Sequence, residues 1–292
     1  MREQIRFAVL GPVSAWRGTT EVDLGPPQQR AVLGALLIAQ GAQVRVGALV
    51  DALWGTAPPA SAVGSVRTYV HRLRRALGDA PLIHSVGDAY VVRALPQDLD
   101  LAAFRELVAR SERARQAGSA RDAAVHLRAG LALWQGPALS GVRGEWAGAQ
   151  RERLEVLRLS ALETRLAIEL DLGGHTQATP ELAALVGAHP LDERFREMLM
   201  LALYRSGRQF AALEAYTQVR DLLAEELGVD PGPRLQRLYE RILRADPELL
   251  PSAAARAGEA RGGQVRAEGD LAVQGTVSGG TVPDGDSEEA NE

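Results

Sequence analysis

The spacing of hydrophobic and polar positions changes along the first 95 residues of the chain. Residues 5–10 are rich in β-branched and aromatic side chains, and apolar and polar residues alternate over 21–24. Both patterns predict short strands. The apolar residues then recur at helical spacing, which predicts three helices, over 28–39, 46–53 and 61–77.

Local sequence signals mark the limits of the third helix and of the hairpin after it. Ser61 is predicted as the N-cap and Gly78 as the C-cap. Two short β-type runs, 82–86 and 89–92, then flank a tight turn at Gly87 and predict a β-hairpin. Strands, three helices and a hairpin in this order predict a winged helix-turn-helix with an additional N-terminal sheet.

The third helix separates its side chains into two faces. On a helical wheel an apolar stripe contains Val63, Val66, Val70, Leu73 and Leu77. Arg can bond guanine edges or phosphates bidentately, Thr and His can reach base edges, and Gly permits close approach of a groove wall. The predicted DNA contacts are Gly64, Ser65, Arg67, Thr68, His71, Arg72 and Arg75 on this helix, with Gly87 at the hairpin tip.

The pattern of this helix alone permits two interpretations. A charged amphipathic helix is most often an ordinary helix with a solvated face. Residues 67–75 contain four Arg and no acidic residue, and a short helix precedes them and a hairpin comes after them, which favours nucleic-acid binding. The role of His71 stays open between a base contact, a phosphate contact and simple exposure. Tyr90 and Trp54 are predicted to be packing residues.

From about residue 98 to residue 245 the pattern is helical, with short breaks at Gly or Pro. The breaks around Gly174 and Gly207 lie 33 positions apart, and the sequence around Gly118 is a weaker third copy. A period near 34 residues is typical of tetratricopeptide-like helix pairs, which stack into an array with a concave groove. The predicted fold is therefore mainly α with a small β component, with a helical-repeat domain at 96–250.

Charge is distributed unevenly along the chain. Residues 1–95 carry ten Arg and six acidic residues, a net charge of +4, whereas the remainder carries −8. A basic N-terminal module joined to an acidic one is the expected pattern for a DNA-binding module joined to a protein-binding module. Residues 251–292 are rich in Ala, Gly and acidic residues with few large apolar side chains, and are predicted to be a disordered acidic tail.

Composition argues against several classes of chemistry. The chain contains no Cys and no Lys, so thiol chemistry and the phosphate-binding loop with its Lys are excluded. The five His lack metal-ligand spacing, and no nucleophile motif is present, so we expect no enzyme activity, no cofactor and no metal. No signal peptide or membrane-length apolar run is found. We expect a cytoplasmic protein without membrane contact.

Eight stretches of the sequence resemble one family of bacterial regulators. Those in the N-terminal region are at 11–13, 27–33, 49–55 and 68–78, the last being Thr68-Tyr69-Val70-His71-Arg72-Leu73-Arg74-Arg75-Ala76-Leu77-Gly78. Those in the helical region are at 131–139, 189–193, 201–208 and 225–233. In this order they resemble the Streptomyces antibiotic regulatory proteins, in which a bacterial transcriptional activator domain follows the DNA-binding domain.

The resemblance implies an OmpR-type winged helix at 1–95 followed by a tetratricopeptide-like activator domain at 96–250. It also implies activation of an antibiotic or other secondary-metabolite gene cluster. Family members bind direct repeats in double-stranded promoter DNA and recruit RNA polymerase holoenzyme through its sigma factor. Direct repeats imply a dimer or tandem protomers about one helical turn apart on DNA. The polymerase contact implied by the family is the loop after the second helix, with Gly55, Thr56 and Ala57.

The sequence departs from the family pattern on the predicted DNA-facing surface. Gln28 stands where the family usually has Lys, and Gly64 and Arg67 stand near positions of Asn and Gln. The operator sequence therefore cannot be transferred from relatives. Two other functions remain open: a repressor or ligand-gated regulator holding a small molecule or peptide in the repeat groove, and an adaptor whose winged helix binds protein.

Overall fold

Two small antiparallel sheets lie in the N-terminal region. The computed structural model describes residues 5–78 and 82–250, so the predicted acidic tail at 251–292 lies outside the described residues. The first sheet has the strand order β1-β2-β3, formed by Ile5–Ala8, Ser14–Arg17 and Thr20–Glu21. The second has the order β4-β6-β5, where β4, β5 and β6 are Val44–Arg45, Ile83–Val86 and Ala89–Val92.

Three helices connect these sheets: α1 is Pro27–Ile38, α2 is Val46–Trp54 and α3 is Ala62–Leu77. Pro27 is the first residue of α1, where a missing N–H leaves no helical hydrogen bond unmade. Gly78, with φ of 82°, ends α3 as predicted. The order of strands, three helices and hairpin confirms the predicted winged helix and its additional N-terminal sheet.

The strands of the N-terminal region differ from the prediction at three places. Residues 22–24 are not a strand, and the hairpin partner of β1 is instead Ser14–Arg17. The two-residue strand β4 was not predicted, because two residues leave no alternation to detect; its Val44 pairs with Tyr90. These differences lie in strands of two to four residues, where pairing with a distant segment decides the conformation.

The first turn of α3 also differs from its prediction. Val63 is 45 % exposed, whereas Ala62 is buried and takes its place on the packed side. Val63 stands at the edge of the apolar stripe, so a small rotation of the helix turns it to solvent. Ser61 occupies the N-cap position, but its side chain makes no capping hydrogen bond. The predicted N-cap position is therefore confirmed, although the side chain does not cap the helix.

The rest of the described chain consists mainly of seven helices, which we call the helical region. The bounds of α4 to α10 are Asp100–Gln116, Ala120–Leu131, Glu145–Asp171, His175–Ala188, Glu193–Arg205, Gln209–Leu227 and Pro233–Leu243. Helices adjacent in sequence pack together, α4 with α5, α7 with α8 and α8 with α9, and α10 packs on α8 and α9. The breaks at Gly174 and Gly207 separate α6 from α7 and α8 from α9, as the repeat pattern predicted. No described helix is long and apolar enough to cross a membrane.

The connection between α5 and α6, residues 132–144, is longer than the predicted break because it pairs with the winged helix. The backbone N–H groups of Gln135, Leu139 and Ser140 donate to the carbonyl oxygens of Leu10, Val9 and Gly11, at 2.8, 2.9 and 3.0 Å. Residues 9–11, which follow β1 of the first sheet, are thus hydrogen-bonded to this connection in the helical region. We call residues 9–11 the joint segment.

Asp100, the first residue of α4, holds the other side of the joint segment. Its carboxylate accepts hydrogen bonds from the N–H of Val9 at 2.9 and 3.0 Å and of Leu10 at 2.8 Å. It also accepts one from its neighbour, the N–H of Leu101, at 2.7 Å. Burial raises the pKa of the Asp100 carboxyl to about 6, against the opposing effect of these donors.

The hydrophobic core continues across residue 95 into the helical region. One cluster of buried side chains contains Phe7, Leu36 and Leu73 of the winged helix together with Leu101 and Phe104 of α4. A second cluster is confined to residues 162–249. The division between the two predicted domains at residue 95 stays a prediction, and the packing makes the winged helix and the first helix pair one physical unit.

Candidate nucleic-acid interface

The α3 helix presents one face to the core and the other to solvent. Val66, Val70, Leu73 and Leu77 are buried where α3 packs on α1 and α2. The opposite face carries most of the predicted DNA contacts. Those that are exposed are Gly64, Arg67, Thr68, His71, Arg72 and Arg75, while Ser65 is half-buried at the edge.

The positive charge of this face is not neutralised by any ion pair among the described residues. Arg67, Arg72 and Arg75 form no ion pair with any carboxylate in residues 5–78 or 82–250, whereas ion pairs such as Arg110–Glu106 and Arg244–Glu240 lie in the helical region. Unpaired guanidinium groups on one exposed helix face give a positive potential and free donors. Both properties suit a polyanion with flat hydrogen-bonding edges.

Two small residues shape the N-terminal half of this face. The hydroxyl of Thr68 donates to the carbonyl of Gly64 at 3.0 Å. Thr68 can therefore contact a partner through the lone pairs of its oxygen, as an acceptor, and through its methyl group. A Cβ added at Gly64 would meet nothing within 4 Å. Packing inside the protein therefore does not require glycine there, although glycine lowers helix stability.

The hairpin β5–β6 forms the wing beside α3. Its tip, Gly87, is exposed and has φ of 58°, a conformation that favours glycine. The carbonyl of Asp88 accepts a hydrogen bond from the N–H of Val46 at 2.9 Å, which ties the tip to the start of α2. The predicted turn at Gly87 therefore has a fixed position relative to the helices.

Arg74 fixes the wing to α3, a role that the sequence pattern did not reveal. Its guanidinium donates to the carbonyl of Ile83 and to the hydroxyl of Ser85, both at 2.9 Å, and lies 5.7 Å from the ring centre of Tyr90. The wheel places Arg74 closer to the apolar stripe than its neighbours, which is the only sequence signal of its different role. Tyr90 is half-buried against the core, as predicted.

Replacing Arg74 with Met should loosen the wing without disturbing α3. Removing these two donors should weaken DNA binding about threefold to tenfold, since each net hydrogen bond contributes about 1 kcal/mol. Amide hydrogen exchange in β5 and β6 should accelerate. Arg75→Met is the matched control: it should weaken binding and leave wing exchange unchanged. Unaltered exchange in Arg74→Met would show that the wing is held by other contacts.

The N-terminus of α1 is also tied to α3. The hydroxyl of Tyr69 donates to the side-chain oxygen of Gln28 at 2.5 Å. Gln28 thus has a partner inside the protein, and it carries no charge where the family pattern usually has Lys. The first turn of α1 contributes less positive charge to this surface than that pattern implies.

The predicted polymerase contact lies in the loop between α2 and α3. Gly55 has φ of 58° and caps α2 through its N–H, which donates to the carbonyl of Asp51 at 2.8 Å. Thr56 and Ala57 are exposed, as are the two prolines after them. Two of the three residues predicted to bind polymerase are therefore exposed, and Gly55 is half-buried. No group of His, Asp and Glu in the described ranges could hold a metal ion.

Two protein families match the chain. The description "Bacterial transcriptional activator domain" matches residues 99–243, and "Transcriptional regulatory protein, C terminal" matches residues 19–89. The second match covers α1, α2, α3 and the greater part of the wing. The first begins beside Asp100 and ends at the last residue of α10.

Curated relatives cover most of the chain. It is 52 % identical over 254 residues to the regulatory protein AfsR of Streptomyces coelicolor, a match covering 87 % of this chain and 26 % of AfsR. The chain thus spans about a quarter of the length of the AfsR proteins. It is 39 % identical over 256 residues to the regulatory protein DnrI of Streptomyces peucetius, covering 84 % of this chain and 94 % of DnrI.

A solved structure has the same fold over nearly the whole chain. The structure of Mycobacterium tuberculosis EmbR in complex with a low-affinity phosphopeptide superposes with a TM-score of 0.80 at 33 % sequence identity. The superposition covers 93 % of this chain and 71 % of that one. The placement of the winged helix against the helical region therefore recurs in that protein.

Proposed function

The chain belongs to the Streptomyces antibiotic regulatory protein family of transcriptional activators, and on that basis we propose that it activates an antibiotic-type biosynthetic gene cluster by binding promoter DNA. In this proposal α3 enters the major groove and the wing contacts the adjacent backbone or minor groove. The protein acts in the cytoplasm, without a cofactor or metal. RNA polymerase with its sigma factor is the protein partner, and the loop at Gly55, Thr56 and Ala57 is its contact.

One observation carries the DNA-binding part of the proposal. Arg67, Arg72 and Arg75 lie on one exposed face of α3, with no carboxylate partner in the described chain. A solvated surface helix usually combines both signs of charge, as α4 does with Glu106 and Arg110. The unbalanced charge of α3 fits a phosphate backbone. We propose that the residues on the groove-facing side, Gly64, Ser65, Thr68 and His71, set the base preference.

Direct repeats are the proposed target, with one protomer on each repeat. Two protomers arranged head to tail face the same side of the duplex only if repeats are about one helical turn apart. Inserting half a turn between them should therefore abolish cooperative binding and leave single-site binding intact.

Footprinting of the promoters flanking the gene, followed by run-off transcription with added polymerase, tests the proposal. Protected direct repeats and more transcript support activation. Protection with less transcript would replace activation by repression. No protection, or an affinity that does not fall with salt at the slope of about −0.9 per neutralised phosphate, would overturn DNA binding and favour an adaptor.

Gly64→Ala should separate fold stability from DNA binding. Alanine should raise the free energy of unfolding by up to about 1 kcal/mol, because glycine weakens a helix and the space around it is open. The added methyl group should lower operator affinity about tenfold by holding the groove wall away. Gly187→Ala in α7, also in open space, is the control that should stabilise without affecting binding. Equal DNA affinity for both variants would show that Gly64 does not face the groove.

A further inference from the structure

A cavity of about 340 Å³ lies between α4 and α6, away from the arginine face of α3. Its apolar lining comes from Phe104, Val108, Leu127, Leu157 and Ala161. Its volume is in the range of small-molecule sites, which are typically apolar with a few fixed polar groups. The cavity is therefore large enough for a small ligand with an apolar body.

One polar group in the cavity lining has no hydrogen-bond partner among the residues that the structure describes. Ser111, on α4, is 2 % exposed, and its hydroxyl makes no hydrogen bond with any group in the described part of the chain. A buried hydroxyl without a partner is unfavourable, and a helical serine usually relieves this by bonding the preceding turn. A ligand oxygen in the cavity would supply the missing acceptor.

The charge at one end of the cavity is unbalanced. Arg105 lies there and donates to the side-chain oxygen of Gln40, but forms no ion pair with a carboxylate of the described residues. Burial, and then repulsion by Arg153, lowers the pKa of Arg105. At the other end Arg115 is already paired with Glu112 at 2.9 Å. An anion would be stabilised at the Arg105 end and not at the opposite one.

We propose that this cavity is an effector site for a small monocarboxylate with an apolar body. The apolar body lies against Phe104, Val108 and Leu157, the carboxylate lies at Arg105, and the Ser111 hydroxyl donates to a ligand oxygen. The site goes beyond the proposed DNA-binding function and does not depend on it.

Gln40 connects this site to the DNA-binding module. It lies just beyond the C-terminal end of α1, with φ of 48°, and α1 packs on the buried side of α3. A carboxylate that takes the donors of Arg105 competes with the side chain of Gln40. Occupation of the cavity thus exchanges a contact between the helical region and α1 for a contact with the ligand.

Calorimetric titration of the full chain with sodium octanoate and with octan-1-ol tests the proposal. These probes share an apolar body and differ in the anionic group. We expect octanoate to bind at least about tenfold more tightly than octanol, the scale of one charge-assisted contact. In Arg105→Met this preference for octanoate should fall well below that of the native protein, because the apolar stem remains and the bonding guanidinium is lost, with only the charge of Arg153 left nearby. Arg110→Met, on the outer side of α4, should keep the native preference.

A second variant tests the position of the ligand. Leu157→Trp should block the cavity mouth and weaken both probes at least about tenfold, since Leu157 is 36 % exposed and can be enlarged without entering the core. Helix content by circular dichroism verifies that each variant is folded. Equal affinity for octanoate and octanol, an unchanged preference in Arg105→Met, or unchanged affinity in Leu157→Trp would each overturn the proposal. The titrations contain no DNA, so they test the ligand site even if the protein proves not to bind DNA.

Discussion

Replacing Arg72 and Arg75 together with Ala should lower affinity for the operator by about two to four orders of magnitude. Each guanidinium that bonds a base edge or a phosphate contributes about 1–3 kcal/mol to binding. The two side chains lie about one helical turn apart on the exposed face. Neither forms an ion pair with a carboxylate in residues 5–78 or 82–250, so no such pair has to be broken when DNA binds. The salt dependence of binding should also become shallower if either residue neutralises a phosphate.

The matched control is Arg234→Ala with Arg237→Ala on α10. These two arginines have the same spacing, are exposed and lie in the helical region. Their removal changes net charge equally and should leave affinity within about twofold, since long-range charge is screened at physiological salt. Gel-shift or fluorescence titration measures both pairs. If the Arg72 and Arg75 pair behaves as the control pair does, α3 is not the helix that reads DNA.

Asp100→Asn should destabilise the fold by about 1–3 kcal/mol, although it removes a buried charge. Both carboxylate oxygens accept N–H donors, so an amide NH₂ placed at either oxygen would face a donor and leave it unpaired. Asp100→Ala leaves the N–H groups of Val9, Leu10 and Leu101 without the carboxylate and should cost about 3 kcal/mol or more. Chemical denaturation measures these changes, with Asp221→Asn on the surface of α9 as the control.

The same carboxyl gives a defined pH dependence. Its pKa is raised to about 6, so the folded protein holds this proton more tightly than the unfolded chain does. The stability contributed by that proton is present at low pH and is lost as pH rises through about 6. The difference in free energy of unfolding between the native protein and Asp100→Asn should therefore be about 1 kcal/mol larger at about pH 5 than at about pH 7.5. A gap that narrows on acidification would mean that the donors, and not burial, dominate the pKa of Asp100.

Locally encoded parts of the fold could be predicted from sequence. The apolar stripe of α3, its Gly78 terminus and the Gly87 turn all depend on neighbours within a few residues, which a sequence pattern contains. The helix breaks at Gly174 and Gly207 are of the same kind. These elements include the whole exposed face on which the DNA-binding proposal rests.

Features that depend on distant partners were not predictable. Val9 and Leu10, which donate to Asp100, lie about ninety residues earlier in the chain, and nothing in the sequence around residue 100 indicates them. The pairing of residues 135–140 with the joint segment appears in sequence only as an ordinary Gly-Pro break. Arg74 looks like its neighbours in composition, and its separate role emerges only when β5 is placed beside α3.

The two faces of α6 have a consequence for building chimeras from related regulators. Ala147, Leu154, Ala161 and Ile168, seven residues apart, belong to the cluster shared with the winged helix, whereas Leu162, Leu166 and Leu170 belong to the cluster formed by the later helices. In a chimera joined at residue 95, the winged helix comes from one parent and α6 from another. The first set of α6 side chains would then lack the winged helix against which it packs. Exchange of parental sequences after α6, near residue 172, keeps the first set with its own winged helix but separates Leu162, Leu166 and Leu170 from the later helices. A hybrid should therefore fold well only where the α6 side chains suit the partners on both of its faces.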